Sequence, residues 1–250
     1  MQRFNLNTRL IRKPKTMNRI FIALSLILAL FTTAFGASKF KQQEGEVKNF
    51  NGVAVAGPIH VIITLGSTEG LRFEGDAEAI STLVTEVKGN ILIIRPKTSW
   101  ISWARKYQDK KITAYVSAKS IKSLTSSGNG SVVVTGKIKG SELATTLSGS
   151  GSISASAEVN SYAGVISGSG SLNISGTAND ASIVLSGSGS FAKKGFSVSK
   201  LSSVISGSGS VNVNADDSIE AVISGSGSLN YSGNPKVEKR VTGSGRVRKI

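Results

Sequence analysis

One short phrase returns seven times in the second half of this 250-residue chain. It reads SSGNGSV at 126–132, LSGSGSI at 147–153, ISGSGSL at 166–172, LSGSGSF at 185–191, ISGSGSV at 205–211, ISGSGSL at 223–229 and VTGSGRV at 241–247. The first glycines stand at 128, 149, 168, 187, 207, 225 and 243, so the spacings are 21, 19, 19, 20, 18 and 18 residues. A fixed period of this kind marks a repeat architecture in which each unit buries its apolar face only against its neighbours. Twenty residues are too few for two packed helices, and the LxxLxLxxN pattern of a leucine-rich repeat is missing, so the period fits one coil of a β-solenoid. A disordered Gly/Ser linker would not set an apolar residue on both sides of every motif.

Strand alternation runs through the glycines. Ile166, Gly168, Gly170, Leu172 and Ile174 share one parity, and Ser167, Ser169, Ser171 and Asn173 share the other. Period-two patterning puts the first set inward and the second outward. Coils stack about 4.8 Å apart, so like residues form columns: aliphatics make a continuous core and serines an outer ladder. Ser150, Ser169, Ser188, Ser208 and Ser226 are the candidate serine ladder. Glycine at fixed phase allows a sharp corner, a positive φ or a close approach between walls. Polar turns are expected at 176–180 and 214–217, giving two or three short strands per coil.

The first half lacks the motif but reads as strands at Val53–Val55, Ile59–Leu65, Leu71–Glu74, Leu83–Val87, Ile91–Arg95 and Ile112–Val116, with helix invited only at Asp76–Thr85 and after Pro96. The expected organisation is a leader over 1–36 and one continuous solenoid over 37–250, with divergent coils at 47–125 and motif-bearing coils at 126–250. At about 20 residues per coil this makes about ten coils, a stack of roughly 50 Å.

The leader is read from Ile20–Gly36, an uncharged apolar run after Arg19 that ends in Ala34-Phe35-Gly36 before Ala37. That is the form of a signal peptide, marginal in length for a membrane span. Met17 gives a shorter basic start, so 1–16 are read as a misassigned beginning. The expected location is therefore export, to periplasm, outer-membrane surface or the extracellular space, with membrane contact only through the leader if it is uncleaved. The chain has 30 Lys and Arg against 15 Asp and Glu. Removing the leader's six basic residues leaves 24 against 15, a charge of +9 with no polybasic block, and nucleic acid is not an expected partner.

Candidate chemistry is sparse. With no cysteine and one histidine, thiol catalysis, disulfides, Cys-ligated metal and two-imidazole sites are excluded. His60 falls on the polar side of its strand. The GxSxG echoes recur too often, and without a strand-to-helix turn, to be nucleophile elbows, and calcium-binding β-rolls need an Asp where these motifs carry Ser. Neither a cofactor nor a metal is expected, and the chain reads as a non-enzyme. The alternative is a polysaccharide-active β-helix using a carboxylate patch of Asp180, Asp216 and Asp217; a third is a purely structural envelope protein.

One segment breaks the monotony. PKTSWISWARKYQDKK at 96–111 gathers Trp100, Trp103 and Tyr107 beside cations that include Arg105. Aromatics beside cations suit sugar stacking or a protein hot spot. The i, i+3, i+7 spacing equally suits a short helix that buries its aromatic side on the solenoid. Trp100, Trp103, Arg105 and Tyr107 are the candidate partner contact.

The order FNGVAVAGPIHVIITLGS, then NILIIRP, then KITAYVSAKSIKSLTSSGNGSV, leading into tandem SGSGS coils, resembles the "putative auto-transporter adhesin, head GIN domain" family, a DUF2807-type family frequent in Bacteroidota. The resemblance spans about 47–247. It implies an all-β, single-stranded, right-handed parallel β-helix with about 18–21 residues per coil, exported to the cell envelope or surface in an adhesin-like role, and it supplies no catalytic residues. The expected function is binding, with repetitive Ser/Asn columns presented to glycan or surface-protein partners, and with a homo-oligomer as a further partner state.

Overall fold

The computed structural model describes residues 43–45, 47–107, 110–191 and 195–250; the expected leader lies outside them. Among the described residues, seventeen strands join one continuous sheet, wound as a β-solenoid of about seven turns. Its long strands run Ser131–Gly149, Ser152–Gly168, Ser171–Gly187, Phe196–Gly207 and Ser210–Gly225, each parallel to the next.

Register makes the columns. Leu147, Ile166, Leu185, Ile205 and Ile223 stand over one another and are fully buried, as are Val132, Ile153, Leu172, Phe191, Val211 and Leu229 on the next wall. Each apolar side chain so buried contributes roughly 1.5–3 kcal/mol, and the column removes both of its faces from water.

The two glycines of each motif do different work at the corner. Gly168 has φ +121°, and a Cβ there would lie 2.5 Å from the Gly149 carbonyl oxygen. Gly170 sits inside the bend, where a Cβ would meet the Gly151 carbonyl oxygen at 2.6 Å. A left-handed backbone and a close approach therefore coincide two residues apart, and a Gly-x-Gly spacing satisfies both. At the opposite corner, parity flips across two consecutive exposed residues: Asn160-Ser161, Asn179-Asp180 and Ser199-Lys200; the Asp216-Asp217 corner has one residue more, and the register shifts there. The polar turns expected there bend without breaking the ladder, since pairing continues through Val159 and Ser161 and again through Ala178 and Asp180.

The expected ten coils overstate the stack, because the chain between residues 66 and 122 is spent differently. Gly70–Gly75 runs antiparallel to Ile112–Ala118 and to Gln43–Gly45, and Leu83–Lys88 forms an antiparallel hairpin with Ile91–Pro96. Helices α1 (Ala77–Ser81) and α2 (Trp100–Lys106) punctuate this cap. Asp76 caps α1, its carboxylate accepting the Ala79 N–H at 3.0 Å.

Nor do the first rungs stack in chain order. Gly52–Ala56 lies between Ile91–Pro96 and Ser123–Gly128, while His60–Leu65 lies between Ile112–Ala118 and Ser131–Gly149. The earliest rung is thus second in the stack, and the cap occupies the end. At the other end Lys236–Thr242 and Arg246–Lys249 pair on one side, with exposed Lys and Arg along the edge, a device that discourages further strand addition.

Candidate functional site

The corner lifts three serine columns into solvent. Ser148, Ser167, Ser186, Ser206 and Ser224 end one wall, Ser150, Ser169, Ser188, Ser208 and Ser226 sit at the bend, and Ser152, Ser171, Ser190, Ser210 and Ser228 begin the next wall. The first two columns are exposed and the third is half-buried. Each bend serine spends its backbone N–H on a glycine carbonyl of the rung before: Ser169 on Gly149 at 3.0 Å, Ser188 on Gly168 at 3.0 Å, Ser208 on Gly187 and Ser226 on Gly207, both at 2.9 Å. Backbone bonds therefore hold the corner without help from the side chains. Rungs about 4.8 Å apart put neighbouring hydroxyls beyond hydrogen-bond reach of one another. The motif phase predicts the bend column; the two flanking columns follow from the register of the strands on either side.

Asparagine behaves differently on the adjoining wall. Asn230 donates to the Asn212 side-chain oxygen at 2.9 Å, Arg248 donates to Asn230 at 3.2 Å, and Ser232 donates to Asn214 at 2.9 Å. These amides link rung to rung, so the wall is stiffened by its own side chains; Asn173 also donates to Ser171 of the third serine column at 3.4 Å, while the bend column faces outward.

The aromatic segment is built into the cap. Trp103 and Tyr107 are 3% and 5% exposed, with ring centroids 5.1 Å apart. Trp103 Nε1 donates to Thr82 Oγ1 at 2.7 Å, and the Tyr107 hydroxyl donates to Glu78 Oε1 at 3.0 Å, an oxygen that Lys106 also reaches at 3.0 Å. Arg105 is exposed, and the side chain of Trp100 lies outside the described residues. The structure thus gives Trp103 and Tyr107 polar partners within the protein and brings neither to the surface beside Arg105. The Lys106 ammonium and the Tyr107 hydroxyl hold the Glu78 carboxyl below its ordinary value, and the Ala79 N–H and Lys110 do the same for Asp76.

His60 Nδ1 shares a hydrogen bond with Ser131 Oγ on the next rung. A Ser–His contact is the beginning of a nucleophilic site, but no carboxylate is recorded against the imidazole among the described residues. Asp180 stands in register with Lys200, and Lys200 with Ser218, so a lysine rung separates Asp180 from the Asp216-Asp217 corner. Among the described residues no group of three His, Asp or Glu side chains is placed to hold a metal ion. A depression of about 520 Å³ lies on the wall beside that corner, floored by Ser161, Ala163, Ala181, Ser182 and Ser202 and rimmed by Lys200, Glu220, Lys236 and Glu238.

The family profile described as "putative auto-transporter adhesin, head GIN domain" matches residues 49–235, which include the cap, the out-of-order rungs and nearly all the serine columns. The chain belongs to this family. It is an adhesin-like protein of the exported or surface class. No curated protein matches the sequence. Among solved structures, this GIN-domain chain is similar to a "putative adhesin" of Bacteroides fragilis, with 20% identity and a TM-score of 0.75 over 86% of this chain and 98% of that one. It is also similar to a "putative lipid binding protein" of Parabacteroides distasonis (22% identity, TM-score 0.67) and a "putative adhesin" of Parabacteroides merdae (20%, TM-score 0.64), each over the same shares of the two chains. At these identities the likeness is one of fold. Among the described residues, no helix of the GIN-domain chain is long and apolar enough to cross a membrane.

Proposed function

We propose that this protein works outside the inner membrane as an adhesin head that binds glycans along its serine corner. The observation that carries this reading is the alignment of outward hydroxyls in parallel columns, on a backbone whose polar groups are already satisfied by the rung before. Such an array offers donors and acceptors at a constant repeat, and a ligand with its own repeat engages several rungs at once. Each contact is weak alone; successive contacts are intramolecular after the first and multiply in effect. Apart from Arg246 in the last of them, the bend motifs carry no charged side chain, which suits a neutral polyhydroxylated ligand better than a polyanion.

The test is a glycan array probed with the wild-type protein and with variants carrying one, two or three of Ser169→Ala, Ser188→Ala and Ser208→Ala. The reading expects a glycan signal that falls more than tenfold from one to three substitutions while the circular dichroism stays unchanged. Binding indifferent to the triple variant, or no glycan bound at all, overturns it. Surface exposure is tested separately, by protease treatment of intact cells: protection would leave the protein in the periplasm and remove adhesion to external surfaces.

A further inference from the structure

The wall that runs from the Asp180 corner to the serine corner carries a stripe that a monomer has no use for. Val184 and Val204 are 39% and 42% exposed, in register with one another and with half-buried Val222, whose next neighbour is Arg240. Beside the stripe, small residues on one pair of rungs answer long ones on the other. Asp180, Ser182 and Val184 stand on the first rung, and Lys200, Ser202 and Val204 on the second. Ser218, Glu220 and Val222 stand on the third, and Lys236, Glu238 and Arg240 on the fourth.

We infer that this wall is a self-complementary interface on which a second copy of the chain docks antiparallel. A two-fold axis along the strand direction, placed between the second and third rungs, sets the fourth rung of one copy over the first of the other, and the third over the second. Lys236 then faces Asp180, Glu238 faces Ser182, Glu220 faces Ser202, Lys200 faces Ser218 with Glu220 beside it, and Val204 faces Val222. Arg240 lies over Val184, every long side chain meets a short one, and Lys200 and Lys236 each stand near an anion. The depression over Ser182 and Ser202 receives the partner's glutamates. Lys236 already touches Glu238 of its own strand at 3.0 Å, so the partner's Asp180 completes an acid–base–acid group. An isologous contact of this kind closes after two copies.

The size of the wall sets the strength. Four rungs of about 4.8 Å and eight residues of about 3.3 Å give about 500 Å² per copy, near 1,000 Å² for the pair, at the low end of specific interfaces. The dimer is therefore reversible, and it displays two serine corners, which multiplies any grip on a repetitive ligand.

Sedimentation velocity of the chain as purified after export, from 1 to 200 μM, is the test. The expected result is a concentration-dependent monomer–dimer equilibrium that Val204→Asp weakens at least tenfold, without change in the circular dichroism spectrum, because Val204 is 42% exposed. Asp180→Lys and Lys236→Glu each give monomers alone, because like charges then meet, and mixing the two restores a heterodimer in which both facing pairs are opposite in sign. A protein that stays monomeric to 200 μM overturns the inference, as does a dimer indifferent to these substitutions or a mixture that fails to associate. Glycan capture by the serine corner is read on the array independently, since the interface leaves that corner uncovered.

Discussion

The Tyr162 hydroxyl and the Thr145 hydroxyl share a hydrogen bond of 2.6 Å inside the shaft, one rung apart. The ring packs against Phe196 and Phe191 with centroids 5.1 and 5.6 Å away. Burial pushes the phenol well above its ordinary value, the Thr145 bond opposing only in part. The raised value means that the neutral phenol stabilises the fold fully below pH ~10, where the unfolded phenol titrates, and that this contribution is lost as pH climbs toward the folded value. Tyr162→Phe should cost about 1–2 kcal/mol at neutral pH by leaving Thr145 unpaired, and should flatten the fall in stability above pH ~10. Urea unfolding at pH 7, 9, 10 and 11 checks both; a parallel pH dependence in the two proteins would refute the assignment.

Ser203 makes the opposite case. It is 1% exposed, its hydroxyl has no hydrogen-bond partner, and its column neighbours are Ile183 and Ala221. An unpaired buried hydroxyl costs about 1–3 kcal/mol. Ser203→Ala should therefore raise stability by about 1 kcal/mol and lift the thermal midpoint by a few degrees in calorimetry.

The corner glycines are not interchangeable with glycines elsewhere. Gly168→Ala places a methyl 2.5 Å from the Gly149 carbonyl oxygen at φ +121°, whereas Gly66→Ala meets nothing within 4 Å. The first substitution should cost about 3 kcal/mol or more and the second well under 1 kcal/mol, as read from denaturant midpoints.

Acid should undo the cap first. Glu69 is held below its ordinary value by the Asn49 and Phe50 N–H groups and by Lys119 at 3.3 Å, and the Asp76 and Glu78 carboxyls are lowered likewise. Lowered values mean stability that is present above the unfolded pKa near 4 and is lost as pH falls through the folded values. Between pH 4 and 2, Trp103 fluorescence should report loosening of the cap while the far-ultraviolet β signal of the repeats persists. Simultaneous loss of both signals would refute a separately acid-sensitive cap.

How far the chain could be read without coordinates varies along it. In the repeats, Ile166 and Leu172 announce their inward direction by parity alone, and the bend serines by their phase with the glycines, because every coil faces the same neighbours. In the cap the decisive partners are remote in sequence. Val53 pairs with Leu92 on one side and Leu124 on the other, and no local period encodes that choice. The spacing of Trp103 and Tyr107 allowed packing or display alike; what orients them is Thr82 and Glu78 on other elements. The valine stripe was within reach of the sequence, since Val184, Val204 and Val222 all stand two residues before the Ser of the motif that precedes its first glycine. Their exposure became meaningful only once the register set opposite charges beside them.

The placement of the earliest rung between two later ones bears on how the protein is made. A growing chain cannot complete that rung until about residue 135 is available, because its second neighbour is Ser131–Gly149. Until then the nascent segment holds unsatisfied strand edges and depends on whatever shelters it. Once the seed closes, each further 18 to 21 residues adds one layer on a finished template, so maturation is slow at its start and then advances like a zip.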